Sequence, residues 1–385
     1  EDGDEDDDNE QIQNSNDAGN KLNERYSLPE SLRNHALIVP MEDRLVALAA
    51  LLKLIRRNTP DKFKILVFCS CVDSVDFHYE LFAGDALKPV DETENDDGEK
   101  TSLMWKKKLR NHRDKERGIP VMKEEEENQE GGHSKDKEEQ FYKLHGEMPF
   151  EVRKGMLQDF SSQRKAVLFT TDVAARGLDF PKISWVIQYN TPSNPTEFVH
   201  RAGRAGRMGA TGDCILLLLP EEARYTQILT GKGVHLDAYR LPEVFDKALM
   251  ADYLKERQKA KLDQKQRRQI VAEVTASMQK RFEDFTLRHP NVHETARKAF
   301  LSYLRAYTVR PKELRDVFNI SGLHYGKVAK SFSLRESPKV AKEALLDPSS
   351  PYARKQISSG RGGVPEEAEE IGLEDSEEAG KRGSE

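Results

Sequence analysis

The run TTDVAARGLDFP at residues 170–181, followed after a short apolar segment by EFVHRAGRAGR at residues 197–207, decides how this chain folds. It sets Arg176, Arg201, Arg204 and Arg207, the glycines Gly177, Gly203 and Gly206, and the carboxylates Asp172 and Asp179 between segments that read as buried strands. Arg204 and Arg207 stand three apart, so on a helix or its last turn they point the same way. The glycines beside them let backbone or ligand come close. Asn194-Pro195-Thr196-Glu197 supplies an N-cap, a proline at the first helical position and a glutamate at the third, so a helix carrying His200, Arg201 and Arg204 starts at a fixed place. This constellation suits an anion.

Working outward, Lys64–Phe68, Phe141–Leu144, Ala166–Phe169, Ile183–Ile187 and Cys214–Leu219 are short apolar runs of the kind that forms buried parallel strands. Leu37-Ile38-Val39, ending at Pro40, is a further short strand. Between them, Leu45, Leu48, Ala49, Leu52 and Ile55 mark one helical face, Val75, Tyr79 and Phe82 a second, and Val152, Met156 and Phe160 a third. Strands alternating with helices predict an α/β fold, a doubly wound parallel sheet covered on both faces. Ligands of such sheets bind beyond the carboxyl ends of the strands. Ser70, His145-Gly146, Thr170-Thr171-Asp172 and the Asn194 helix start all fall there.

Beyond Pro220 the alternation is expected to stop and the chain to become helical. Val271, Val274, Met278, Phe282 and Phe285 form an apolar stripe, and Ala299, Phe300, Tyr303, Leu304 and Tyr307 repeat it. Pro311 is expected to open another helix on Leu314, Val317 and Phe318, and Gly326 to Phe332 a last one. Residues 240–335 thus read as a small helical domain. Its basic residues interleaved with aromatics suit either RNA or packing onto the sheet domain.

The net charge of −6 hides an asymmetry. Residues 1–20 hold nine carboxylates and no Lys or Arg, and residues 364–385 hold nine against Lys381 and Arg382, which leaves +10 for residues 21–363. The folded part is basic, as a polyanionic partner requires, and the acidic ends read as disordered tails. Residues 84–140 break into acidic and basic runs and read as a mostly disordered insertion. Cys69, Cys71 and Cys214 show no metal-ligand spacing and read as buried free thiols of a reducing compartment. With no run long enough to span a bilayer and no signal-peptide core, the chain reads as soluble and intracellular. It begins at Glu1 without an initiator Met and reads as a piece of something longer.

In order and spacing, ILVFCS (65–70), KLHGEM (143–148), TTDVAARGLDFP and HRAGRAGR (200–207) resemble the second RecA-like domain of the DEAD-box ATP-dependent RNA helicases over roughly residues 35–222. ARKAFLSYLRAYTVRPKELRDVFNISGLHYGKVAKSF (296–332) resembles the extension of one subgroup, the nucleolar helicases of large ribosomal subunit assembly. With the resemblance, the charge pattern divides the chain into a disordered acidic tail at 1–21, a RecA-like helicase domain at 22–222 interrupted by the disordered 84–140 insertion, a connector at 223–239, a helical extension at 240–335 and a disordered acidic tail at 336–385.

By the same resemblance Arg204 and Arg207 reach the γ-phosphate of ATP, Arg204 as an arginine finger, while Asp179 contacts the ribose and Gly177 lies in the nucleotide motif. His200 couples the helix to the other domain. Thr171, Gly146 and Arg153 hold the RNA backbone, with Ser70 a further candidate. Two departures stand out: Phe150 replaces the usual Gln three residues before Arg153, and Ala202 and Ala205 replace larger residues.

No G-x-x-x-x-G-K-[ST] is present, and Lys100-Thr101 follows Glu99 inside the insertion. ATP and Mg²⁺ would therefore be held mainly by an upstream RecA-like domain of the same protein, and this chain alone is expected to be inactive. No metal site is expected within it, and no membrane partner. The implied whole is an RNA-stimulated ATPase that remodels or unwinds RNA in ribosome biogenesis, in the nucleus and nucleolus. The alternative from another class is a non-enzymatic RNA-binding or assembly module derived from a helicase domain.

Overall fold

The computed structural model describes residues 25–26, 28–84, 86, 139–175, 180, 182–206, 211–250, 262–336 and 339. The expected tail at 1–21 lies outside the described residues, as do all but the margins of the 84–140 insertion and of the 336–385 tail.

Seven strands, β1 (Leu32–Ile38), β2 (Phe63–Phe68), β3 (Gln140–Leu144), β4 (Lys165–Thr170), β5 (Trp185–Gln188), β6 (Gly212–Leu218) and β7 (Asp237–Tyr239), pair in the order β3-β4-β2-β5-β6-β1-β7. Every pairing is parallel. β2 is buried along its whole length, which is why it reads as an unbroken apolar run. Its one charged residue, Lys64, escapes by carrying its ammonium to the Ser161 carbonyl, 2.5 Å away, over the Phe160 ring.

The sheet-domain helices are α1 (Arg44–Asn58), α2 (Val72–Ala83), α3 (Phe150–Ser162), α4 (Pro195–Ala202) and α5 (Tyr225–Gly231). The extension comprises α6 (Leu241–Phe245), continued by a wide turn at Asp246–Met250, then α7 (Gln264–Arg288), α8 (Pro290–Thr308) and α9 (Tyr325–Ser331). α8 packs on α2 and α7 reaches it beside them. Phe332 meets the rings of Phe77 at 5.6 Å and His78 at 6.2 Å, and Phe282 meets Phe82 at 6.0 Å. The Ser302 hydroxyl donates to the Asp73 carboxylate. Burying each such ring contributes about 1.5–3 kcal/mol, so the extension shares one continuous core with the sheet domain.

Three expectations are corrected. β1 begins at Leu32 and not Leu37, because Arg33 and His35 reach Asp213 at 2.8 and 3.2 Å and so tolerate a strand that does not look apolar. The alternation does not stop at Pro220: Asp237-Ala238-Tyr239 adds an edge strand to β1, too short and polar to show in the pattern. After Pro311 no α-helix forms: a tight turn at Lys312–Leu314 is followed by turns that the Val317 and Phe318 amides close on the Leu314 carbonyl, and Asn319, accepting from the Ser321 amide at 2.9 Å, starts a new turn. The three cysteines are free, and burial pushes the Cys69 and Cys214 thiols up to about 12.

Candidate functional site

Because all seven strands run parallel, their carboxyl ends share one edge. Along it lie, in order, Gly146 after β3, Thr171 after β4, Ser70 after β2 and the Asn190–Asn194 loop after β5. The loop ends in a true cap: Asn194 Oδ1 accepts the Glu197 amide at 2.9 Å, with Pro195 opening α4. Gln188 on β5 donates to the Phe198 carbonyl at 3.2 Å. Arg201, only 1% exposed, then clamps the helix to the edge. Its guanidinium grips both Asp172 oxygens at 2.5 and 2.8 Å, donates to the Asn190 carbonyl at 2.8 Å and lies over the Phe68 ring.

Past Gly203 the chain turns, and Ala205 bridges to Ile183. Gly206 takes a φ of +69°, and a Cβ on Gly212 would stand 2.3 Å from the Gly206 amide nitrogen, so both must be glycine. Arg204 sits on this turn, largely buried, with Nε 3.4 Å from the His200 carbonyl. His200 is part exposed, 3.8 Å from Glu197. Arg207, Asp179 and Gly177 lie outside the described residues.

The predicted RNA residues gather at the β3–β4 corner. Leu144 and Thr170 are register partners, so Gly146 and Thr171 follow from adjacent strand ends, and Arg153 lies in the first turns of α3. Gly146 is exposed, and a Cβ there would meet nothing within 4 Å. The Arg153 Nε is buried without a hydrogen-bond partner, and Phe150, at the start of α3, is 67% exposed. Beneath them Asp76 takes Lys143 at 3.0 Å and His145 at 3.3 Å. Burial opposes the ionisation of Asp76, but these two partners outweigh it and keep its carboxyl below the usual range. Ser70 differs from the other candidates. Its hydroxyl is buried without a partner, and the residue lines a cavity of about 10 Å³ walled by Tyr303, Tyr307 and Arg310 of the extension.

Sequence reading missed a buried polar network here. Glu222, 1% exposed, accepts from Tyr307 at 2.8 Å, Thr191 at 3.2 Å and the Leu219 amide at 3.0 Å. Burial, with the Glu222 carboxylate beside it, pushes the Tyr307 phenol far up, so it stays a donor. Arg310 donates to the Thr191 carbonyl at 3.1 Å and to the Pro192 carbonyl. An arginine ahead of a proline gives no local sign of such partners. Among the described residues no group of three His, Cys, Asp or Glu could hold a metal ion, and no helix is long and apolar enough to cross a membrane.

Residues 99–209 match the helicase conserved C-terminal domain. The parallel sheet with its arginine-bearing edge is the second RecA-like domain of the DEAD-box helicase family, to which the chain belongs. Residues 289–340 match the C-terminal extension of ATP-dependent rRNA helicases of the SPB4-like kind, which assigns the chain to the branch that carries this extension. Similar proteins include the ATP-dependent DNA helicase DDX31 of Homo sapiens, 33% identical over 84% of this chain, and DEAD-box ATP-dependent RNA helicase 17 of Oryza sativa subsp. japonica, 33% identical over 81%. The ATP-dependent RNA helicase dbp7 of Schizosaccharomyces pombe is 33% identical over 83% of it. The chain spans 34%, 46% and 41% of the lengths of those three proteins.

Proposed function

We propose that this chain is the arginine-donating half of an ATP-dependent RNA helicase acting on pre-ribosomal RNA in the nucleolus. The observation that carries the reading is the fixing of α4 at the carboxyl edge: a capped start, a buried Arg201 clamp, and Arg204 on the turn that follows. Arg204 and Arg207 would neutralise charge on the γ-phosphate, for which the planar, permanently charged guanidinium is suited. Such fingers accelerate phosphoryl transfer by about 10³ to 10⁵. Arg204 now rests on the His200 carbonyl, so domain closure would draw it off that bond.

Among the described residues no group of three His, Cys, Asp or Glu is available for Mg²⁺, and Arg204 would address one side of the nucleotide. Asp179 and Gly177 would complete that side, and Mg²⁺ with the remaining phosphate contacts would come from an upstream RecA-like domain. When bound, ATP supplies the free energy for closing and reopening the two domains. Gly146, Thr171 and Arg153 would hold the RNA backbone. The open space around the exposed Gly146 supports this. Contacts of this kind address phosphates and sugars and read no sequence.

In the protein carrying both helicase domains, Arg204→Ala should lower RNA-stimulated ATP turnover by at least a thousandfold while ATP binding stays within a few-fold. Near-normal turnover would sink the finger assignment. Because the human relative is named a DNA helicase, turnover should be measured with RNA and DNA side by side. RNA is expected to stimulate more strongly, and equal stimulation would favour the DNA reading.

A further inference from the structure

The loop Asn190–Asn194, which sets where α4 begins, lies outside any strand or helix. Its position therefore depends on what its polar groups meet. The Asn190 amide donates to the Phe68 carbonyl at 3.1 Å, and the Asn190 side chain accepts from the Ser70 amide at 3.0 Å. The Asn190 carbonyl takes Arg201 from inside the helicase domain. The next two carbonyls, of Thr191 and Pro192, take one residue from the extension, Arg310. Arg310 is 8% exposed and is itself held, with its guanidinium 4.4 Å over the Phe318 ring and Tyr307 alongside. The Thr191 hydroxyl is pinned by Glu222, which Tyr307 of α8 also reaches.

Two arginines thus grip consecutive carbonyls of one loop, Arg201 that of Asn190 and Arg310 those of Thr191 and Pro192. Arg201 pulls from the helix that leads into the Arg204 turn, and Arg310 pulls from the extension. We propose that Arg310 is a positioning residue for the arginine helix: by fixing the Thr191 and Pro192 carbonyls it sets the start of α4, and through α4 the place of Arg204. The extension is then part of the machinery that aims the guanidinium, over and above any contact with RNA. Arg310 reaches the two carbonyls from separate guanidinium nitrogens, Nη1 to Pro192 and Nη2 to Thr191, so the single nitrogen of lysine reproduces only part of the grip. The extension has separate anchors, Ser302 on Asp73 and Phe332 against Phe77, so it stays docked when Arg310 is changed.

The role of Arg204 rests on the function proposed above, so the test has one arm that does not. In this chain, amide hydrogen exchange across Phe198–Ala202 should speed up at least tenfold in Arg310→Met and less in Arg310→Lys. In the protein carrying both helicase domains, Arg310→Met should lower kcat at least tenfold with KM for ATP within twofold, measured where circular dichroism shows the variant folded. Arg297→Met is the control for simple weakening of the extension, because Arg297 pairs with Glu336 and does not touch the loop. It should leave α4 exchange and kcat as they are. Unchanged α4 exchange in Arg310→Met overturns the proposal, as does unchanged kcat, and so does an equal effect from Arg297→Met. If Arg204→Ala retains turnover, the finger assignment fails while the exchange result still decides whether Arg310 sets the helix.

Discussion

Arg201 and Arg204 lie three residues apart in one motif, yet their surroundings differ. Arg201 is spent on the fold, with Asp172, the Asn190 carbonyl and the Phe68 ring all satisfied inside the domain. Arg204, on the turn beyond the helix and 3.4 Å from the His200 carbonyl, is the one proposed above for the γ-phosphate. Replacing Arg201 by Leu leaves the Asn190 carbonyl without this donor, but Asp172, 43% exposed at its side chain, returns to water. The cost should therefore fall short of that for a stranded buried charge, at about 2–4 kcal/mol, read from urea denaturation. A loss below about 1 kcal/mol would mean that the Asn194 cap and Gln188 hold α4 by themselves. The Asn194 cap and the spacing of Arg201 and Arg204 were legible in the sequence because capping and helical periodicity are local. The Tyr307 contact of Glu222 and the Pro192 contact of Arg310 were not, since those partners lie 85 and 118 residues away; only the bond of Glu222 to the Leu219 amide is local.

At the scale of elements, α2 carries the join between the two halves of the fold, and it carries a histidine. His78 is fully buried among Phe77, Phe169, Tyr189 and Phe332, with Nδ1 2.6 Å from the Ser74 carbonyl. Burial pushes its pKa down to about 4, and Arg44 adds to the effect. The unfolded chain takes up this proton near pH 6.5 and the folded chain only near 4, so the contribution is intact above 6.5 and is lost as pH falls between them. That amounts to roughly 1.5 kcal/mol between pH 6.5 and 5. Asp76, Asp213 and Glu42, held below their usual range, act only at lower pH. His289 and His293, also lowered by burial, act in the same direction and remain in the control. His78→Gln, which can still donate to the Ser74 carbonyl, should flatten the slope of unfolding free energy between pH 5 and 6.5 by one proton. An unchanged slope would refute the assignment. β2 and β4 were legible because β2 is buried along its whole length and β4 at every residue after Lys165; β7 was not, because an edge strand needs no apolar run.

For the whole molecule the question is whether the extension is a second unit or a completion of the first. A unit joined by a linker would bury its own core and leave a polar surface on its neighbour. Here α2 presents Phe77 and Phe82 to Phe332 and Phe282, and both groups belong to one apolar cluster. The polar contacts agree, because Glu222 and the Thr191 and Pro192 carbonyls are all satisfied from the extension. Separating the halves would expose those rings and orphan buried acceptors at about 1–3 kcal/mol each. Neither half keeps a stable intermediate under those costs, so the chain should unfold in one transition, with tryptophan fluorescence and far-UV circular dichroism tracing the same curve in urea. A chain ending at residue 262 should expose the α2 face, bind a hydrophobic dye and lose that cooperativity. Two resolved transitions, or a truncated chain that still melts sharply, would show that the extension is a dispensable neighbour and would remove the physical basis for its grip on the arginine helix.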